Sequence, residues 1–191
     1  MIRIHTLALA GAAALALGLG AGFNPPLVAK EMTKMVGGAP MYPSKNIVQN
    51  AIHSKDHTTL VAAVKAAGLV KTLESPGPFT VFAPTNAAFA KLPKGTVKTL
   101  LEPKNKDKLT SILTYHVGPG RLTTHDLMAK VKAGHGKAML KTVEGDDLTI
   151  EDKGGHLWIV DGKGDKARIT VSNVMQSNGV IQVINKVMMP G

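Results

Sequence analysis

Eleven residues, Phe79-Thr80-Val81-Phe82-Ala83-Pro84-Thr85-Asn86-Ala87-Ala88-Phe89, constrain the fold of this chain more than any other stretch. Phe79 to Ala83 are rich in aromatic and β-branched side chains and suit a buried strand. Pro84 cannot donate to a sheet ladder and biases Ala83 towards extended backbone. Thr85 or Asn86 then caps a helix, because a short side-chain oxygen accepts an orphan N–H of the first turn. A strand, its stop and a helix start therefore follow one another without a loop.

Around this segment the first half reads as helical. Residues 30–43 carry Gly37-Gly38, Pro40 and Pro43 with little periodicity and read as a leader or linker. Ser44 precedes Ile47, Val48, Ala51 and Ile52, which are spaced for one helical face. Thr58 or Thr59 opens a helix through Ala67, and Gly68 sits where a left-handed cap is wanted. Thr96 precedes a short element that Pro103 ends. Asn105 starts a stronger helix with Leu109, Ile112, Leu113 and His116 on one side, which Gly118-Pro119-Gly120 stops. Beyond about residue 137 the period changes. Strands are expected at Ala138–Val143, Leu148–Glu151, Leu157–Val160, Ile169–Val171 and Val180–Val187, most of them separated by glycine- and aspartate-containing turns. Helices before strands favour an α+β domain over an alternating parallel sheet.

The N-terminus reads as a targeting segment. Arg3 supplies positive charge, Leu7 to Leu19 is uncharged and apolar, and Leu27-Val28-Ala29 follows Pro25-Pro26 as a cleavage site; a cut near Ala21 and an uncleaved anchor are the rival readings. This divides the chain into a signal peptide at 1–29, the leader at 30–43 and one domain at 44–190. Export to a periplasm or the outside medium is expected, with no membrane span after cleavage. The chain has no cysteine, which excludes a lipid-anchored lipoprotein, disulfides and thiol catalysis. The formal charge is +10, and loss of Arg3 with residues 1–29, which hold no acids, leaves +9. Nearly all of it is lysine, a hydrated point charge without the planar fork that reads bases or phosphates. Few aromatics are available for stacking, so the charge favours loose attraction to anionic surfaces over specific nucleic-acid recognition.

The opening segment resembles the first signature motif of fasciclin-like domains, TVFAPTNxAF. Ser177-Asn178-Gly179-Val180-Ile181-Gln182-Val183-Ile184-Asn185-Lys186-Val187-Met188-Met189-Pro190 resembles the second, commonly NGVIHVIDxVLLP. Tyr115-His116 matches the family's tyrosine–histidine pair between them, and Leu60 to Leu69 is similar to its TLVxAVxxAGL helix. The resemblance covers roughly residues 45–190 with the landmarks in family order. It implies a fasciclin-like α+β wedge with helices mainly in the N-terminal half, a β-sandwich-like core of mixed strands, and the two motifs as neighbouring strands. It also implies adhesion or extracellular binding, with Tyr115-His116 in a recognition region. Gln182 stands where histidine is common and Asn185 where aspartate is common, so each removes a titratable group.

On spacing, His116 instead closes the buried face of its helix, with both ring nitrogens satisfied internally. His53 and His57 are four apart, a zinc-ligand spacing, but Ser54 occupies the place of a protease's glutamate base and an exposed pair is expected. No G-x-S-x-G elbow occurs, and the acidic residues near 144–152 lack a calcium-loop pattern. No cofactor, metal or catalytic residue is expected. Lys91, Lys94, Lys98, Lys104, Lys106 and Lys108 are opposed only by Glu102 and Asp107 within their stretch, and would attract acidic polysaccharide, lipopolysaccharide or anionic membrane. The reading is a monomeric, non-enzymatic, exported adhesion module. Tyr115, His116, Lys91, Lys94 and Lys98 are its candidate contacts with a cell-surface or envelope component, whether an anionic glycan or a protein. The alternative is a carrier of an apolar small molecule such as a carotenoid or lipid. Phe79, Val81, Phe82, Pro84, Thr85, Asn86 and Phe89, with Asn178, Gly179, Val180, Ile181, Val183 and Ile184, are read as framework.

Overall fold

The computed structural model describes residues 33–191; the expected targeting segment lies outside the described residues. In chain order the elements are β1 (Lys34–Val36), β2 (Ala39–Met41), α1 (Ile47–Ala51), α2 (Thr58–Ala67), α3 (Val70–Glu74), β3 (Phe79–Pro84), α4 (Asn86–Phe89) and α5 (Thr96–Leu100). A 3-10 turn at Pro103–Asn105 leads into α6 (Lys106–Tyr115), followed by β4 (Val117–Pro119), α7 (Thr124–Ala133) and β5 (Lys137–Lys141). Then come β6 (Asp147–Lys153), β7 (His156–Val160), β8 (Lys166–Gln176) and β9 (Gly179–Ile184).

The fold is α+β. Seven strands form one mixed sheet in the order β4-β3-β9-β8-β7-β6-β5. Its parallel pair is β3 with β9, in the register Val81↔Ile181, and the other pairs are antiparallel. The sheet curls until its ends approach: the Val143 N–H donates to the Val117 carbonyl at 2.7 Å, and Gly118 faces Leu140.

The two motif strands are apolar on both faces because each separates two cores. Val81 and Ala83 of β3, with Ile181 and Val183 of β9, face a cluster that includes Ile47, Leu60, Val64, Leu73, Phe89, Leu109, Ile112 and Leu113. Phe82 and Ile184 face the opposite way, onto Tyr115, Leu127, Leu148, Ile150, Ile159 and Met188 inside the curl. A strand pair buried on both sides needs largely apolar runs, interrupted here only by Thr80 and Gln182, which are buried and hydrogen-bonded.

Two parts depart from the sequence expectation. The segment read as leader or linker contains the β1–β2 hairpin, whose Val36 and Met41 enter the first core. Gly37 and Gly38 have φ of 58° and 75°, so the glycine pair is a hairpin turn, not a flexible tether. Pro40 is tolerated because this two-stranded sheet is all edge. Helix α7 was not anticipated. Thr123 caps it, and Asp126 reaches back to the Thr123 N–H at 2.8 Å, a capping box written in the sequence as Thr-Thr-His-Asp. Elsewhere Gly68 closes α2 at φ 73°, as its position requires, whereas α1 is capped by Asn46, two residues after Ser44.

Candidate functional site

Motif residues with polar side chains act as clamps between elements. Thr85 caps α4 by accepting the Ala88 N–H at 3.2 Å. Asn86 serves a different helix: its Oδ1 accepts the Thr59 N–H at 3.0 Å, and its Nδ2 donates to the Lys55 carbonyl and the Thr58 hydroxyl. That satisfies an orphan donor of α2, whose own N-cap residue, His57, supplies no capping bond. Asn178 does the same between α1 and α3, accepting the Ile47 N–H at 3.0 Å and donating to the Leu73 and Ser75 carbonyls. Gly179 follows because a Cβ there would collide with the Phe79 carbonyl. Phe79 is half-buried, while Val81, Phe82, Phe89, Val180, Ile181, Val183 and Ile184 are buried, as is Pro84 at the end of β3.

Tyr115 and His116 lie inside the protein. The Tyr115 side chain is wholly enclosed; its hydroxyl donates to the Asp147 carbonyl and accepts the Gly162 N–H, each at 3.0 Å. Burial pushes its phenol pKa up, against the opposing Gly162 N–H. His116 Nδ1 donates to the Ile112 carbonyl at 2.7 Å, and Nε2 accepts the Met188 N–H at 3.0 Å. Those partners fix a neutral tautomer. Burial brings the imidazole down to about 4, against the pull of the Ile112 carbonyl and Asp161. The recognition role expected for this pair has no exposed surface to act from.

The expected exposed pair of His53 and His57 is also revised. His53 is exposed, but His57 is buried, with Nδ1 2.9 Å from the Ser54 hydroxyl. Burial lowers its pKa; the Ala83 carbonyl opposes this, yet Nε2 has no hydrogen-bond partner among the described residues. Among the same residues no group of three or more histidines, aspartates or glutamates is placed to hold a metal. Gln182 and Asn185 fill their places as neutral groups. Gln182 Oε1 accepts the Asn173 N–H at 2.9 Å and its Nε2 donates to the Leu122 carbonyl, while Asn185 Oδ1 accepts the Arg168 N–H at 2.8 Å.

Lys91, Lys94 and Lys98 are exposed, as are Lys104, Lys106 and Lys108. They follow α4, flank α5 and begin α6. Lys91 is tethered to the Asn185 carbonyl at 2.8 Å and Lys104 to Glu102 at 3.0 Å. Lys94 and Lys108, distant in sequence, line one open cleft of about 360 Å³ with Thr96, Thr99 and Asn105. That pairing was not legible in the sequence, because it depends on how α5 turns back onto α6.

An apolar cavity of about 70 Å³ lies between the helices and the sheet, lined by residues including Val36, Ile47, His57, Val64, Val81 and Leu113. A dry cavity of roughly 150 Å³ holds one benzene. A carotenoid is far larger, so this space would have to open to admit one.

The fasciclin domain family model matches residues 55–190. Protein sll1483 of Synechocystis sp. is 46% identical over 160 residues, covering 84% of this chain and 82% of that protein. Transforming growth factor-beta-induced protein ig-h3 of Sus scrofa is 38% identical over 131 residues, 69% of this chain and 17% of that longer protein. A solved FAS1 domain pair from the insect cell adhesion molecule fasciclin I shares the fold with a TM-score of 0.67 at 19% identity, covering 76% of this chain and 51% of that one.

Proposed function

The chain belongs to the fasciclin domain family, and from that premise we propose that it is an exported, non-catalytic binding module that attaches to an anionic component of a cell envelope through its Lys91–Lys108 surface. The observation that carries this reading is the set of six exposed lysines on α5 and its flanks, faced within the stretch by Glu102 and Asp107 alone. Lysines that are spread over a surface and not forked onto a shared ligand suit repeated weak contact with a polyanion. Fasciclin I, which shares the fold, is a cell adhesion molecule, and the analogy is in keeping with attachment. Among the described residues no helix is long and apolar enough to cross a membrane. The apolar-carrier reading is the second choice, because the cavity of about 70 Å³ would have to open to admit a lipid or carotenoid.

The test is a pull-down of the mature protein against envelope fragments, acidic glycans and anionic vesicles at low and high salt. Retention at low salt and release at high salt support the proposal, because exposed charge contacts are screened. Retention that ignores salt rejects it.

A further inference from the structure

The outer face of the curled sheet carries a second arrangement of charge, remote in sequence from the Lys91–Lys108 stretch. Alternation fixes which side chains share it. Ala138, Ile150, Ile159 and Ala167 are matched across β5, β6, β7 and β8, and the last three are buried against the interior. The neighbouring positions must point the other way. They form the row Lys137, Glu151, Trp158, Arg168, each residue paired with the next across adjacent strands. The adjoining row is Met139, Thr149, Val160, Lys166.

Glu151 organises this face. Its side chain is 8% exposed and lies beneath three ammonium groups, Lys166 at 3.0 Å, Lys137 at 3.2 Å and Lys153 at 3.5 Å. One carboxylate therefore holds three cations close together and leaves two charges uncompensated. The Arg168 guanidinium adds a third, with no ion pair among the described residues. Beside this cluster stands Trp158, the only tryptophan in the chain, half-buried on the solvent side of the sheet. A lone indole on a strand face, bordered by fixed cations, is suited to stack a ring while charge is held at its edge. Four strands make a platform about 14 Å across, enough for a run of several sugar units.

We propose that this face binds an acidic polysaccharide, with Trp158 stacking on a pyranose ring and Lys137, Lys153, Lys166 and Arg168 contacting its carboxylate or sulfate groups. The inference rests on the reading of the chain as a binding module and adds a ligand class and a separate site to it. Polysaccharide is favoured over single-stranded nucleic acid because the face offers one aromatic platform, where a nucleic-acid groove stacks successive bases on several. It is favoured over a lipid surface because the one large apolar side chain, Trp158, is half-buried within strand β7 and does not project from a loop.

Trp158 is its own reporter. The full chain, titrated with a size-fractionated alginate oligomer, gives a saturable change in tryptophan emission. A matched neutral dextran gives none, and an oligothymidylate binds at least about tenfold more weakly. The exposed change Arg168→Ala, whose side chain has no ion pair among the described residues, weakens alginate about threefold, as the loss of one exposed charge contact does, while thermal unfolding stays close to wild type. Lys91→Glu with Lys94→Glu and Lys98→Glu leaves the emission response unchanged, which separates this site from the Lys91–Lys108 surface. If the wild-type chain attaches to envelope material but its emission does not respond to alginate, the Trp158 site is wrong and the module reading stands. Equal response to dextran, or tighter binding of the oligothymidylate, also overturns it.

Discussion

His116 Nε2 accepts the backbone N–H of Met188 across 3.0 Å, which ties the end of α6 to the segment that follows β9. The same ring holds the Ile112 carbonyl through Nδ1, so both nitrogens are used and neither faces solvent. The tyrosine–histidine pair is thus a joint between the helical layer and the C-terminal segment. Tyr115, reaching the Asp147 carbonyl and the Gly162 N–H, extends the joint to the far strands.

Replacing His116 by Ala should cost about 2–4 kcal/mol, because it leaves a buried donor and a buried acceptor unmatched and removes packing. Urea unfolding would show a lower midpoint with an unchanged slope. A midpoint within error of wild type would remove His116 from the framework.

Gly179→Ala should be more damaging, since a Cβ at that position meets the Phe79 backbone carbonyl and neither strand can retreat within the parallel β3–β9 pair. A loss above about 3 kcal/mol, or failure to fold, is expected. A soluble Ala variant with near wild-type melting would show that the strands can separate.

Acid should destabilise the protein once the pH falls below the ordinary histidine value. His116 has a folded pKa of about 4 against an ordinary 6.5, and His57 is also lowered. In that window the unfolded chain takes up protons that the folded chain refuses, so stability falls as pH drops from about 6.5 towards 4. Glu151, held down to about 2 by its hydrogen bond to Lys166, adds a loss between about 4.5 and 2. Unfolding midpoints measured across this range should fall in both windows. In His116→Gln, the drop between 6.5 and 4 should shrink, and an unaltered profile would count against His116 as its source.

Much of this was legible in the sequence because the relevant signals are local. The Phe79–Phe89 segment carries its strand, stop and cap in neighbouring residues, and Gly68 marks its own helix end. Asn86 was readable as a cap, but its service to α2 was not, since Lys55, Thr58 and Thr59 meet it only after folding. The hairpin at Lys34–Met41 was missed because a glycine pair reads equally as a tether until Val36 and Met41 find a core. The α7 capping box was present in the sequence and passed over. Burial of His57 had no local signal: its ring is enclosed by the chain around Ala83, and its spacing from His53 pointed to a solvent-facing pair. The row through Trp158 likewise depends on registers between four strands, which alternation within any one strand does not specify.

Attachment through surface lysines, on a framework that keeps Tyr115 and His116 inside, is tested most directly by comparing two variants in one binding assay. Wild type, His116→Ala and the Lys91→Glu, Lys94→Glu, Lys98→Glu triple variant are presented to envelope material at low salt, at a temperature where all three are folded. The expected result is full attachment by His116→Ala and loss of at least about tenfold by the triple variant, whose charge change of six units acts only at the exposed surface. Attachment that survives the triple change but is lost in folded His116→Ala would contradict it.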